Sequence, residues 1–276
     1  MAGGSDRRLR PEAPTSLQFP VVTTEPGLDD IREEAARLGA AAVAEGLPLR
    51  LMGGLAVWVS SPSIRAGDIA RAYADIDVIG ESGANAAIKA FFAGRGYVPE
   101  RMFNALHGAQ RLNFAHPDGR WTIDVLLDQL RMSHTIDLRG RLRTAGATID
   151  LADLLLTKLQ IWEINRKDLA DAGAVLADHP IAPNDGRPAA ELVDVDRITA
   201  LARDDWGLCH TLERNLARLA SLVEEDVFPD APYDPRRQVE TLSQAVVRAP
   251  KSLSWRARAR VGERIRWYET PEEVRH

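Results

Sequence analysis

Residues 73–79 read YADIDVI, an apolar strand pattern that two acids interrupt. Side chains on a strand alternate between its faces, so Asp75 and Asp77 share one face with Cα atoms roughly 7 Å apart. Two carboxylates on an apolar strand repel each other and lose solvation unless a cation joins them. A divalent cation such as Mg²⁺, which prefers oxygen ligands, supplies that compensation. The alternative is that the strand ends at the surface and both acids face water.

A second strand with an acid in its middle is predicted at residues 121–127, which read WTIDVLL. Apolar and polar residues alternate over residues 110–115, as they do in a strand. A Pro-Asp-Gly turn signal separates this segment from residues 121–127, so we expect a β-hairpin. If the second acidic strand lies beside the first, Asp124 joins Asp75 and Asp77 on one face of the sheet. Three carboxylates around two cations suit an in-line displacement at phosphorus.

Two other acids compete with Asp124 for the third position, because Asp137 and Asp150 also stand between apolar residues. Asp150 and Asp153 occupy the places of a helix N-cap and its partner three residues on, which disfavours Asp150 as a ligand. Asp137 lies just before an Arg-Gly-Arg loop and remains an alternative to Asp124 as the third acid. The hairpin context favours Asp124.

A Gly-Gly pair, Gly53 and Gly54, follows a short apolar strand at residues 49–52 and precedes a predicted helix at 55–60. Without Cβ atoms the backbone can approach a phosphate closely, and the helix behind it offers unpaired N–H groups. Most Gly-Gly pairs only make a turn. This pair is informative because the acidic strand follows it.

The fold class that these patterns predict is α+β, a small mixed β-sheet with flanking helices followed by a helical bundle. We expect a flexible tail at residues 1–25, an α/β core at 26–145 and a helical domain at 146–276. In the core, helices are predicted at residues 28–45 and 85–94. In the second half, helices are predicted at residues 149–164, 167–177, 194–202, 206–223, 236–247 and 253–267.

Composition narrows the class of protein. The 276 residues carry a net charge of −5, and Cys209 is the single cysteine, which excludes a disulfide framework and a multi-cysteine zinc site. No run reaches the ~18 apolar residues of a membrane span, and residues 1–20 do not read as a secretory signal, so we predict a cytoplasmic chain without membrane contact.

Residues 248–268 carry seven Arg or Lys against one Glu, which suits nucleic-acid phosphates, a protein partner or a solvated helix equally.

The order of strand, Gly-Gly, helix, Asp-x-Asp strand and later single-Asp strand resembles the polymerase-β-type nucleotidyltransferase superfamily. Farther on, Lys158 interrupts the apolar run LLLTKLQIW, and residues 166–171 read RKDLAD. That arrangement is similar to the AbiEii-type branch, whose members include toxins of bacterial toxin–antitoxin and phage-defence systems. The resemblance covers about residues 49–178, and the combination of motifs is more specific than any one of them.

The resemblance implies a role for each matching residue. Asp75, Asp77 and Asp124 would hold two Mg²⁺ ions, with Mn²⁺ as a substitute, and Asp124 would help to remove a proton from the attacking hydroxyl. Lys158 would neutralise the phosphates. Tyr73 stands where the family commonly has a small hydroxyl residue, which is a departure. Gly53 and Gly54 would hold the nucleotide triphosphate, and Asp168 or Asp171 would contact the nucleotide or brace Lys158 and Arg166. Arg71 and Arg166 are also assigned to nucleotide binding, Arg71 because an arginine often precedes the acidic pair in the family.

The function that the resemblance implies is an enzyme, a Mg²⁺-dependent nucleotidyltransferase. It would move an NMP from an NTP to a hydroxyl of an RNA 3′ end such as that of tRNA, of a protein or of a small molecule. It would act as a toxin with a cognate antitoxin protein as partner. The alternative is a non-catalytic nucleotide-binding or protein-interaction module on the same fold.

Overall fold

The computed structural model describes residues 28–65 and 72–270, and over these residues the chain is a mixed α+β protein. The α-helices are α1 (Leu28–Ala44), α2 (Gly53–Ser60), α3 (Asn85–Ala93), α4 (Arg101–His107), α5 (Leu151–Leu159), α6 (Arg166–Asp178), α7 (Val195–Asp204), α8 (Trp206–Val223), α9 (Pro235–Arg248) and α10 (Leu253–Val261). The strands are β1 (Leu49–Leu51), β2 (Asp75–Gly80), β3 (Val98–Pro99), β4 (Arg111–Ala115), β5 (Thr122–Leu127), β6 (Gln129–Arg131), β7 (Thr135–Asp137), β8 (Ile181–Ala182) and β9 (Val193–Asp194).

Five strands form the main sheet in the order β1-β2-β5-β4-β3. Strands β4 and β5 pair as the antiparallel hairpin that the sequence predicts. Strands β2 and β5 pair in parallel, and all other neighbours are antiparallel. The two acidic strands are therefore direct neighbours at the centre of the sheet, with Asp77 opposite Asp124.

The two faces of the sheet differ sharply because side chains alternate along each strand. Ile76 and Ile123 are fully buried on one face. Helix α3 covers that face, where the rings of Phe92 and Phe114 lie 4.8 Å apart between centroids. The other face carries the acids of β2 and β5, and it is only half covered. The fold thus sets the carboxylates on the more open face of its central strands.

The second half of the chain packs against the sheet through residues 147–149. The Leu51 N–H donates to the Ala147 carbonyl at 2.9 Å, and the Ile149 N–H donates to the Leu51 carbonyl at 3.0 Å. Helices α5 to α9 then pack on one another, and one hydrophobic core runs without a break from α1 to α9. The domain boundary near residue 145 stays a prediction, and the predicted tail at residues 1–25 lies outside the described residues.

Several element ends differ from the sequence prediction. Gly53 and Gly54 are the first residues of α2 rather than a turn before it, and β2 begins at Asp75 rather than at residue 73. Helix α5 ends at residue 159, where the Asn215 side chain donates to the carbonyls of Leu159 and Ile161. Helix α10 ends at residue 261, where Gly262 adopts a positive φ of 59°.

The sequence analysis did not predict helix α4, which follows β3. Its N-cap is Glu100, whose side chain accepts hydrogen bonds from the backbone N–H groups of Met102 and Phe103. Glutamate is not among the residues strongly preferred at this position, so the usual start signal is absent. Among the described residues, no helix combines the length and the apolar character that a membrane crossing requires.

Candidate functional site

Three acids lie on the open face of the central strands. Asp77 and Asp124 stand opposite each other in the register of β2 and β5, and both are half-buried. Asp75 lies two residues before Asp77 on the same face, opposite Thr122, and is exposed. Asp75, Asp77 and Asp124 therefore share one face of the sheet, which is the arrangement expected if the two acidic strands are neighbours.

The electrostatics of this face centre on Asp77. Burial raises the pKa of Asp77 to about 7, and the neighbouring charges of Asp75 and Asp124 act in the same direction. The cations of Lys158 and Arg111 oppose the increase. A carboxyl that is hard to ionise beside two other carboxyls is a place where an added cation lowers the electrostatic free energy.

Arg111 is a member of this site that the sequence analysis missed. Its guanidinium binds Asp124 through two hydrogen bonds, from Nε to Oδ1 and from Nη2 to Oδ2, both 2.7 Å long. Arg111 and Asn113 share a face of β4, and Asn113 lies opposite Asp124, so strand alternation could have pointed to Arg111. Both oxygens of Asp124 are engaged by this bidentate pair.

The start of α2 lies against Asp77. The Met52 N–H donates to the Asp77 carbonyl at 2.9 Å, and Gly53 has a φ of 69°. A Cβ atom on Gly53 would stand 2.3 Å from Oδ2 of Asp77, so a side chain at this position would overlap the carboxylate. Among the described residues, no side chain caps this helix, and its first N–H groups are suited to an anion.

Lys158 of α5 reaches the site from the helical half. Its side chain is 10% exposed, and Nζ lies 3.1 Å from Oδ1 of Asp168 and 2.9 Å from Oδ2 of Asp171. Asp171 is fully buried, whereas Asp168 keeps some solvent contact. Lys158 also acts on the pKa of Asp77, which places its charge near the acidic strands. Asp168 and Asp171 of α6 therefore both pair with Lys158, and the role of all three at a nucleotide stays a prediction.

Other sequence-predicted site residues lie elsewhere. Arg166 is braced by Glu225 at 2.6 Å rather than by the α6 acids, and its side chain is 64% exposed. Arg71 lies outside the described residues. Tyr73 precedes β2, and its ring centroid is 5.4 Å from the guanidinium carbon of Arg32.

The two acids that compete with Asp124 have other partners. Asp137 lies in β7 and pairs with Arg139, whose hydrogen bonds hold the pKa of Asp137 far below its usual range. Asp150 is the N-cap residue of α5, as expected, but its side chain makes no capping bond. Arg141 instead forms ion pairs with both acids, with N–O distances of 2.8 Å to Asp150 and 2.5 Å to the buried Asp153.

The fit of this site to a divalent metal is mixed. The donor chemistry suits Mg²⁺, because carboxylate oxygens are its preferred ligands and the charges of Asp75 and Asp124 both disfavour ionisation of Asp77. As the side chains stand, no group of three acidic, histidine or cysteine residues in the described part of the chain is placed to hold a metal ion. Arg111 occupies the oxygens of Asp124, so a metal set made of Asp75, Asp77 and Asp124 requires Arg111 to release Asp124.

The basic segment at residues 248–268 is mostly exposed on α10 and after it. Arg256, Arg260 and Arg264 form no ion pair with another residue that the structure describes. Arg258 instead lies over the ring of Trp206, 4.7 Å from its centroid, and donates to the Gly262 carbonyl. Arg256, Arg260 and Arg264 therefore present positive charge to solvent that no other described residue neutralises.

Comparison with known proteins adds no assignment. The chain matches no protein-family model, and no curated protein is significantly similar to it. The likeness to AbiEii-type nucleotidyltransferases remains a prediction from the motifs.

Proposed function

We propose that the chain is a Mg²⁺-dependent nucleotidyltransferase that moves an NMP from an NTP to a hydroxyl acceptor. The observation that carries this proposal is the pairing of Asp77 with Asp124 on parallel central strands, directly against the glycine start of α2. Carboxylates beside a helix N-terminus combine sites for cations and for phosphates in one place. Lys158 adds a buried positive charge from the helical half.

Each residue has a proposed task. The N–H groups of the first turn of α2, at Gly53 and Gly54, hold the triphosphate, and Lys158 offsets its negative charge. Bound Mg²⁺, held by Asp75, Asp77 and Asp124, would supply charge neutralisation at the phosphates. Mn²⁺ is expected to substitute for it. Once Arg111 releases it, the Asp124 carboxylate can accept the proton of the attacking hydroxyl.

The proposed acceptor of the NMP is inferred from the charge of the C-terminal segment. The exposed arginines of residues 248–268 favour an RNA 3′ end, such as that of tRNA, over a protein or a small molecule. The resemblance to the AbiEii-type branch supports a role as the toxin of a toxin–antitoxin or phage-defence system, with an antitoxin protein as partner. Expression in bacteria is then expected to arrest growth, and Asp77→Asn is expected to abolish the arrest.

A second candidate is a non-catalytic nucleotide-binding or protein-interaction module on the same fold. The observation that favours it is the bidentate pair of Arg111 with Asp124, which gives one acid a structural partner. In that case the pair stays closed when nucleotide is present. The two candidates differ in whether a phosphorus–oxygen bond is broken.

The test is a transfer assay with NTPs labelled at the α-phosphate, one at a time, with Mg²⁺ and total tRNA, protein or aminoglycoside acceptors. We expect one or more NTPs to label an acceptor, and a γ-phosphate label to leave with pyrophosphate. Asp77→Asn should reduce the rate by about 100-fold or more. Asp230→Asn, which changes an exposed acid away from the site, should leave it unchanged. An α-label that stays on the NTP with every acceptor would support the non-catalytic module.

A further inference from the structure

Arg111 forms an ion pair on the acidic face that solvent can reach. The pair with Asp124 is bidentate, with both hydrogen bonds 2.7 Å long, and the side chains of Arg111 and Asp124 are 37% and 17% exposed. Water screens such a pair and solvates both groups when they separate, so it is weaker than a fully buried one. A charged group that enters this face from solvent can therefore compete for either partner.

Positive charge from three elements surrounds Asp77, the acid opposite Asp124. Asp77 and Asp124 are register partners on neighbouring strands, so the guanidinium that binds Asp124 lies close to Asp77 as well. The charges of Arg111 and Lys158 both favour ionisation of Asp77. The start of α2, with the positive end of the helix dipole, lies against the same carboxylate at Gly53. A polyanion bound at the start of α2 therefore meets the charge of Arg111.

An aromatic ring supports Arg111 from α4. The ring centroid of Phe103 lies 5.7 Å from the guanidinium carbon of Arg111. The next residue, Asn104, fixes α4 to β4, because its side chain accepts from the Asn113 N–H at 2.7 Å and donates to the Asn113 carbonyl at 3.0 Å. An aromatic ring attracts a nearby guanidinium whether or not a carboxylate holds it. Arg111 thus has a stabilising contact that does not depend on Asp124.

We propose that Arg111 exchanges partners when substrate binds, leaving Asp124 for a phosphate of the bound triphosphate. This inference rests on the triphosphate site of the proposed function and adds a phosphate-binding residue to it. The planar guanidinium offers two parallel N–H groups, and a phosphate can accept them in the bidentate geometry that Asp124 accepts here. The exchange leaves the oxygens of Asp124 to a cation and gives Arg111 a new anionic partner.

The exchange differs from a simple plug in its effect on triphosphate binding. If Arg111 only blocks Asp124, Arg111→Gln frees the metal site, and triphosphate in Mg²⁺ binds as tightly as before or more tightly. If Arg111 binds a phosphate, the same substitution removes a charge-assisted bidentate interaction and weakens binding. Both cases predict tighter binding of a metal alone. The direction of the change in triphosphate affinity therefore separates them.

The test is calorimetric titration of the full chain with inorganic triphosphate in Mg²⁺, a probe with no base and no nucleotidyl group to transfer. We expect Arg111→Gln to bind it at least about tenfold more weakly than the wild type. Arg111→Lys, which keeps the charge but not the planar fork, should lie between them. The matched control is Arg131→Gln, which should bind as the wild type does, since the guanidinium of Arg131 bonds to the neutral side chains of Gln129 and Gln110. Equal or tighter binding by Arg111→Gln would overturn the proposal.

A second comparison needs no metal. In EDTA, Asp124→Asn replaces the charged partner of Arg111 with a neutral one, so the guanidinium can bind triphosphate without first leaving a carboxylate. We expect Asp124→Asn/Arg111→Gln to bind inorganic triphosphate at least about tenfold more weakly than Asp124→Asn alone. Equal binding by these two variants would contradict the proposal.

The outcomes for Arg111 and for the proposed enzyme are distinguishable. Weakened triphosphate binding by Arg111→Gln, in a chain that transfers no NMP, would support the role of Arg111 and remove the enzyme. NMP transfer by the wild type, with undiminished triphosphate binding by Arg111→Gln, would remove the role of Arg111 alone. A wild type that binds no triphosphate in Mg²⁺ would overturn both.

Discussion

Oδ2 of Asp77 lies 2.3 Å from the point where a Cβ atom on Gly53 would stand. Gly53 also has a φ of 69°, a conformation that side-chain-bearing residues rarely adopt. The first residue of α2 and a central acid of the sheet are thus fitted to each other with no room for a side chain. The helix start, where phosphate is proposed to bind, therefore lies directly beside the carboxylates that are proposed to hold metal.

Gly53→Ala is expected to destabilise the fold by about 3 kcal/mol, because backbone strain and atomic overlap with Asp77 add together. Gly46→Ala is the matched control, since Gly46 has a φ of 64° but nothing within 4 Å of an added Cβ. Gly46→Ala should lower the free energy of unfolding by about 1 kcal/mol, from backbone strain alone. Urea unfolding of both variants measures the difference, and equal losses would show that the contact with Asp77 has no steric consequence.

The raised pKa of Asp77 predicts a dependence of stability on pH. A carboxyl with a pKa of about 7 in the folded state and 3.8 unfolded is protonated more readily when folded. Its contribution to the free energy of unfolding is therefore greatest below pH 4 and falls as the pH rises toward 7.

Asp77→Asn should remove this decline. In EDTA, the wild type should lose roughly 2 kcal/mol more than the variant between pH 4 and pH 8, allowing for the solvent that Asp77 still touches. Urea unfolding at several pH values measures it, with Asp230→Asn as an exposed control. Parallel curves for the wild type and Asp77→Asn would mean that Asp77 ionises normally.

Arg111→Gln is expected to tighten Mn²⁺ binding by roughly tenfold, because the guanidinium competes with a metal for the oxygens of Asp124. Titration followed by electron paramagnetic resonance of free Mn²⁺ gives the affinity. Arg131→Gln is the control, since among described residues the guanidinium of Arg131 bonds only to the neutral side chains of Gln129 and Gln110. Unchanged or weaker Mn²⁺ binding by Arg111→Gln would show that Arg111 does not hold the site closed.

Lys158→Met should destabilise the fold by about 3 kcal/mol, because it removes the buried cation that lies 2.9 Å from the fully buried carboxylate of Asp171. Lys167→Met changes an exposed lysine of α6 and should stay within about 0.5 kcal/mol of the wild type. The double variant Lys158→Met/Asp171→Asn should regain more than half of the lost stability and still fail to transfer NMP. If it transfers NMP at the wild-type rate, Lys158 has only a structural role.

Much of the site follows from local sequence patterns. Alternation along β2 is enough to place Asp75 and Asp77 on one face, whereas Asp124 joins them only because β5 pairs with β2, which alternation does not encode. The inward position of Lys158, against the acids of α6, was implied by the resemblance and not by helical spacing. The strand rule is short-range, and it holds because it involves successive residues of one strand.

The rest depends on contacts between segments that are distant in the chain. Arg166 pairs with Glu225 only because α6 packs beside the end of α8, a placement that periodicity does not encode. The hydrogen bond from the Tyr97 hydroxyl to Glu34 needs α1 and the segment before β3 to come together. The end of α5 involves Asn215 of α8, which donates to the carbonyls of Leu159 and Ile161 although the apolar periodicity continues past Leu159.

The most direct test of the central claim is calorimetric titration of the wild type and Asp77→Asn with each NTP, in Mg²⁺ and in EDTA. If the acids of β2 and β5 join metal to triphosphate, Mg²⁺ should tighten the binding of at least one NTP by about tenfold or more in the wild type. The Asp77→Asn variant should lose that gain. Equal affinity in Mg²⁺ and EDTA for every NTP, or a gain that survives in Asp77→Asn, would contradict the claim.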